Sequence, residues 1–290
     1  MPWYFYAFLT AVIISLVSII EKKVLVKVHS TSFSATLAVL NFVFSLPFIF
    51  IIDFSKINRF SLLIILVSAF FASLTFLFIA KATRTMEIST ISPILALNPG
   101  VSALAALVFL GERLDEKAVI GILFMIVGSY VLMLAANHGF KHHIREFLRN
   151  KETVLVLLTL IFYAFGSVID KFLVSGLKID PLAYLFFVHM FIAVIFVFEA
   201  GEWGRGLRGM NEALKIAGAE ITVASLLTVA YRYFELLAFQ GAYIGLVSAI
   251  KRSSSFFTTI IGGEMFHEDK LVMKSVASTL IILGCLFIVL

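Results

Sequence analysis

Apolar residues in this chain come in long runs, separated by short clusters of charged and turn-forming residues. A bilayer core about 30 Å thick takes roughly 20 apolar residues as a helix. That window predicts ten spans: 3–25, 33–52, 60–80, 88–110 and 118–136, then 153–175, 182–200, 214–238, 243–262 and 271–290. Membrane-barrel strands would be segments of about ten residues with alternating polarity, which does not describe these runs. The connections are short. The longest, 137–152, holds Lys141, His142, His143, Arg145 and Arg149 and reads as a basic bridge along the headgroups. Residues 3–20 are apolar, with no basic segment before them and no A-x-A site after, so a retained first span is expected rather than a cleaved signal.

The pattern also repeats. The fourth run ends at Leu110-Gly111-Glu112-Arg113 and the ninth at Gly262-Gly263-Glu264-Met265. Near the start of each half, Ser18-Ile19-Ile20-Glu21-Lys22 is echoed by Ser167-Val168-Ile169-Asp170-Lys171. Two echoes at nearly the same offset point to duplication. Each half has an odd number of spans, so the second crosses the membrane inverted relative to the first. Inverted repeats are typical of secondary transporters, with the substrate site at the repeat interface. The expected fold class is all-α integral membrane, with ten transmembrane helices as two inverted five-helix repeats. Residues 1–136 form the first repeat, 137–152 the linker and 153–290 the second.

Composition strengthens the membrane reading. The 290 residues are 61% hydrophobic and 14% charged, with 31 Phe, against roughly 45–50% and 25% in soluble domains. Burial on folding reaches only about 75% of the surface in a chain this size, so the apolar surplus faces lipid. The net charge of +5 is scattered between apolar runs and forms no basic face, so nucleic acid is not expected as a partner. The single cysteine, Cys285, allows no internal disulfide.

Paired five-span halves, each with a penultimate helix closing on Gly-Glu, resemble the EamA family of the drug/metabolite transporter superfamily. The matching stretches are Ala82 through Glu112, with Asn98-Pro99 in mid-helix and Leu110-Gly111-Glu112-Arg113-Leu114 at its end, and Ala238 through Glu264. The second half departs from the pattern, with Lys251-Arg252 where the first has Asn98-Pro99 and Met265-Phe266 for Arg113-Leu114. The resemblance implies a multi-pass cell-membrane protein with cytoplasmic termini. The positive-inside count favours the opposite orientation, because Lys81, Arg84, Arg205, Arg208, Lys270 and the linker cations would then lie inside.

Lys251 and Arg252 lead the site candidates. They sit deep in an apolar run, where each cation costs at least about 2.5 kcal/mol on the insertion scale. They are expected to face a polar cavity or a buried carboxylate and to bind an anionic group, Arg252 with its planar fork. Glu21 and Asp170, each followed by Lys, either pair locally while the Lys reaches the interface or join the cavity. Arg232 and Glu235, three apart, are placed to pair on one helix face, with Tyr231 adding a hydroxyl. Asn98 completes the substrate-binding set. His189 and Glu235 are the proton-coupling candidates. Pro93 and Pro99 are expected to kink the fourth span, and Glu112 and Glu264 to act structurally at helix ends.

Enzyme signatures are missing: there is no H-E-x-x-H, P-loop, paired-cysteine metal site or Gly-x-Ser-x-Gly. His138, His142 and His143 are read as part of the basic linker. No enzyme activity, cofactor or metal is expected. The sequence points to a transporter of a small polar, anionic or zwitterionic metabolite (an amino acid or organic acid) working by alternating access. The alternative is a channel or lipid-moving protein.

Overall fold

The computed structural model describes residues 2–86, 91, 95, 97–112, 116–136, 151–203, 206–258, 261, 263–265 and isolated positions beyond 275. Pro93, Arg113, Leu114, linker residues 137–150 with their three histidines, and most of the expected span 271–290 lie outside the described residues. Among the described residues the chain is helical throughout, with no strand. The main helices are α1 (Trp3–Leu25), α2 (Ser30–Ser45, extended by a 3-10 turn Leu46–Phe50), α3 (Arg59–Thr85), α4 (Asn98–Leu110), α5 (Glu116–Ala136), α6 (Lys151–Lys171, continued by a π-turn Phe172–Gly176), α7 (Pro181–Trp203), α8 (Gly206–Gly241) and α9 (Ile244–Arg252). A short helix, α10 (Ser254–Phe257), follows α9.

Six of these segments, α1, α2, α3, α6, α7 and α8, are long and apolar enough to cross a membrane. Their surfaces are inside out relative to a soluble protein. Phe50, Val108, Phe198 and Leu207 are 72–88% exposed, whereas Ala7, Ala11, Ala35, Ala69 and Ala106 are fully buried. Small residues at helix contacts let backbones approach closely, the packing that holds helices together where lipid removes any hydrophobic drive. Gly241 of α8 shows how tight the fit to α1 is, since an added Cβ would lie 2.8 Å from the Cβ of Trp3. Gly241→Ala is expected to lower stability by about 1–3 kcal/mol, the usual range for overpacking. Thermal unfolding of the purified protein in detergent checks this.

Packing crosses between the two halves of the chain. Helix α1 lies on α8 and α9, α2 on α7 and α8, α3 on α6 and α7, and α4 on α6 and α9. Helix α8 is 36 residues long, about 54 Å at 1.5 Å per residue, more than one bilayer crossing requires. A non-helical residue, Ala217, kinks it. The polar helical stretch bearing Arg208, Asn211 and Glu212 precedes the kink, which is why hydropathy outlined only 214–238.

Two local features differ from the sequence expectation. Asn98-Pro99 stands not in mid-helix but at the opening of α4, just past a turn at Leu97. Proline suits a first turn, where its missing N–H would have had no partner. The helix carrying Lys251 and Arg252 stops just after them. Ser253 turns, its N–H donating to the carbonyl of Ile250 at 3.0 Å, and α10 resumes beyond it.

The Gly-Glu motif that closes α4 has a clear geometry. Gly111 adopts φ +67°, the left-handed C-terminal cap for which glycine is favoured, and the Glu112 N–H reaches the Ala106 carbonyl at 3.3 Å. The turn aims the Glu112 side chain at Lys171, 2.5 Å away, while its second oxygen accepts the Ile244 N–H at 3.0 Å. Lys171 also donates to the Ala242 carbonyl at 2.6 Å. Four elements meet here: the ends of α4, α6 and α8 and the start of α9. Lys22 does a similar job in the first half, donating to the carbonyls of Thr83 and Met86 at the end of α3 (2.8 and 2.6 Å).

Candidate functional site

A lattice of charged and hydroxyl groups ties helices of the second half to one another and, through Ser68, to α3. Asp170 of α6, 3% exposed, is its first node. One carboxylate oxygen accepts Ser68 Oγ of α3 at 2.7 Å and the Tyr184 hydroxyl of α7. The other accepts Arg232 Nη2 of α8 at 2.9 Å. Arg232 Nη1 donates to Glu235 Oε2, three residues on, at 2.8 Å. The other Glu235 oxygen accepts the Tyr163 hydroxyl of α6 at 2.6 Å and the Lys251 ammonium of α9. Lys251 also sits 4.2 Å above the Tyr163 ring. Two carboxylates and two cations alternate along this chain and balance. A buried charge is tolerated when it is both paired and hydrogen-bonded, and each of these is.

Arg252 is treated differently. Its guanidinium carbon lies 5.5 Å from the centre of the Tyr163 ring, it is 8% exposed, and its buried Nε has no partner among the described residues. It lines a cavity of about 250 Å³, below the usual 300–1,000 Å³ of drug-sized ligand pockets. The same wall carries Glu21, Asp170, Tyr231, Arg232 and His189. Lys251, Glu235 and Asn98 are not on it. Lys251 and Glu235 sit behind, tied to each other. Asn98 is fully buried at the start of α4, its oxygen accepting Ser102 Oγ at 3.1 Å and its Nδ2 without a partner. The cavity runs from Asp170 and Arg232 towards Thr83 and Ile91, at the end of the bundle where α3 finishes.

Arg252 is the last residue of the nine-residue α9, about 13 Å from its start and so near half of a 30 Å core. The helix end helps hold it there, since cations are stabilised at the negative end of the helix dipole. His189 of α7, 4% exposed, exchanges a 2.7 Å hydrogen bond between its Nδ1 and Ser45 Oγ. Asn41 of α2 reaches the wall with its oxygen accepting Ser225 Oγ of α8 at 2.6 Å.

Sequence reasoning missed Tyr163, Tyr184, Ser68, Ser45 and Asn41. Their one signal was a polar tip inside an apolar helix, since a buried Tyr hydroxyl or Asn amide needs a partner.

A polar, charge-lined cavity between crossing apolar helices is an arrangement that suits a membrane transporter, and comparison with known proteins points the same way. Residues 1–134 match the model of the EamA-like transporter family. No curated protein matches the chain. One solved crystal structure of a protein superposes with a TM-score of 0.71 at 14% identity, covering 98% of this chain and 94% of that one. At that identity the likeness concerns the fold alone.

Proposed function

We propose that the protein is a secondary transporter that moves a small polar metabolite, anionic or zwitterionic, across the cell membrane by alternating access. In this reading ten spans form two inverted five-helix repeats, 1–136 and 153–290, joined by the linker 137–152. The packing scheme supports it. Exchanging α1, α2, α3 and α4 for α6, α7, α8 and α9 maps the main contacts described above onto one another: α1 on α8 becomes α6 on α3, and α2 on α8 becomes α7 on α3. Lys22 and Lys171, at matching positions, each cap carbonyls at the end of their own half's third helix. Helix discontinuities at Asn98 and Ser253 also fall at matching positions, the feature that most often marks a transporter's binding site.

One observation carries the substrate reading: Arg252 is a deeply buried cation on a cavity wall that makes no ion pair or hydrogen bond among the described residues, the nearby Glu235 carboxylate being held by Arg232, Lys251 and Tyr163. Glu21, Tyr231, Arg232 and Asp170 share its cavity, while Lys251 and Asn98 hold the framework behind. Of the proton-coupling candidates, His189 faces the cavity and Glu235 stands in the lattice. The termini are taken as cytoplasmic, and one-sided labelling of a cysteine placed in 137–152 tests that.

Saturable counterflow in proteoliposomes tests the whole reading. Arg252→Gln is expected to abolish it, and the Lys251→Gln/Arg252→Gln pair to do the same. Arg252 supports no ion pair, so the single variant should fold normally. Undiminished counterflow in Arg252→Gln removes the site. Unsaturable flux without counterflow would instead make the protein a channel or lipid mover.

A further inference from the structure

The charges on the cavity wall can be paired off. Asp170 and Arg232 neutralise each other at 2.9 Å. His189 is engaged with Ser45, and Lys251 and Glu235 close on one another behind Tyr163. Two charged wall groups remain with no ion pair or hydrogen bond among the described residues, Arg252 of α9 and Glu21 of α1. Helices α1 and α9 pack on each other, and Tyr231, on the same wall, is within electrostatic reach of both groups as well as of Arg232 and Glu235. The rest of the wall is largely apolar, with Ile14, Val17, Phe76, Ile79, Phe162 and Ile192.

A simple carboxylate bound to Arg252 would share the cavity with the Glu21 carboxylate. A simple amine bound to Glu21 would face the Arg252 guanidinium. Either ligand leaves one charge uncompensated in a low-dielectric space, which weakens its binding. A ligand bearing both charges leaves none. We infer that Glu21 is the ammonium-binding pole of the site and selects compact zwitterions with an apolar body over simple acids and simple amines. This deepens the transport reading above and rests on it.

The test is binding to the purified full-length protein, by titration calorimetry, of leucine, methionine and phenylalanine, each beside its deaminated acid and its decarboxylated amine. An amino acid of this panel is expected to bind at least about tenfold more tightly than either of its analogues, the scale of one charge-assisted hydrogen bond. Glu21→Gln should remove that preference and improve binding of the acid. Arg252→Gln should lose the acid and improve binding of the amine. This crossed pattern is not what loss of folding produces. A Glu21→Gln protein that weakens all three ligand types alike would make the residue structural and overturn the inference. Acids that bind the unmodified protein as tightly as amino acids, with one proton taken up for each, would overturn it too and make Glu21 a proton carrier. Counterflow of a polar solute with no binding of any amino acid in the panel defeats the zwitterion inference and leaves the transport reading intact. Absence of saturable counterflow for every polar solute tried defeats the transport reading itself.

Discussion

Replacing Glu235 with Gln is expected to destabilise the protein by about 3–5 kcal/mol, the cost of removing one partner from a buried ion pair. Glu235 is 1% exposed and takes a hydrogen bond or ion pair from three side chains on two other segments and its own helix: Tyr163, Lys251 and Arg232. Its loss leaves the Lys251 ammonium, also 1% exposed, with only the Tyr163 ring beside it among the described residues. The attraction of an aromatic face, about 2 kcal/mol when desolvated, is too small to replace a carboxylate. The double variant Glu235→Gln/Lys251→Met should therefore recover most of the loss, because a neutral pair of similar volume removes the charge that caused it. Denaturant or thermal unfolding of the single and double variants in one detergent measures both. A single variant that loses less than about 1 kcal/mol, the range of an exposed pair, would mean that water reaches Lys251. For scale, the exposed Lys23–Glu220 pair at 3.5 Å, 45% and 35% accessible, belongs to that weaker class.

The same lattice shows how far the sequence could be read. Hydropathy placed α1 at 3–25, the observed helix, because charges and turns bracket an unbroken apolar run. It placed Lys251 and Arg252 deep in the membrane, because their distance from any polar segment leaves them no other place. It could not say that one is neutralised and the other is not. The deciding partners, Glu235 and Tyr163, lie on two other helices, and only packing brings them to α9. Tyr184 and Ser68 were invisible for the same reason. Each is a lone hydroxyl in an apolar helix, and their common partner, Asp170, is 102 residues from Ser68. Glu112 was legible as a helix-end residue through its glycine and its echo at Glu264. That it would reach Lys171 was not, since the contact depends on how α4 crosses α6.

That contact carries the second large expected effect. Glu112, Lys171, the Ala242 carbonyl and the Ile244 N–H tie the ends of α4, α6 and α8 to the start of α9. The knot lies at the opposite end of the bundle from Thr83 and Ile91, towards which the cavity runs. On the proposed alternating-access cycle this end parts when the other closes, so the knot would break and re-form in each cycle. Hydrogen bonds to charged groups contribute about 1.5–3 kcal/mol each, and every 1.4 kcal/mol shifts a two-state population tenfold. Lys171→Met is therefore expected to raise at least about tenfold the population open at this end. A cysteine at the cavity-lining position Ala72, with Cys285 replaced by Ala, reports it through an impermeant thiol reagent added on one side of sealed vesicles at a time. In the unmodified background, labelling should be fast from the side of residues 83–91 and slow from the side of residues 51–58. Lys171→Met should speed the slow side and retard the fast one, because the two openings exclude each other. Faster labelling from both sides would mean that the bundle has merely loosened. Unchanged labelling from both would show that Lys171 anchors helix ends and takes no part in gating.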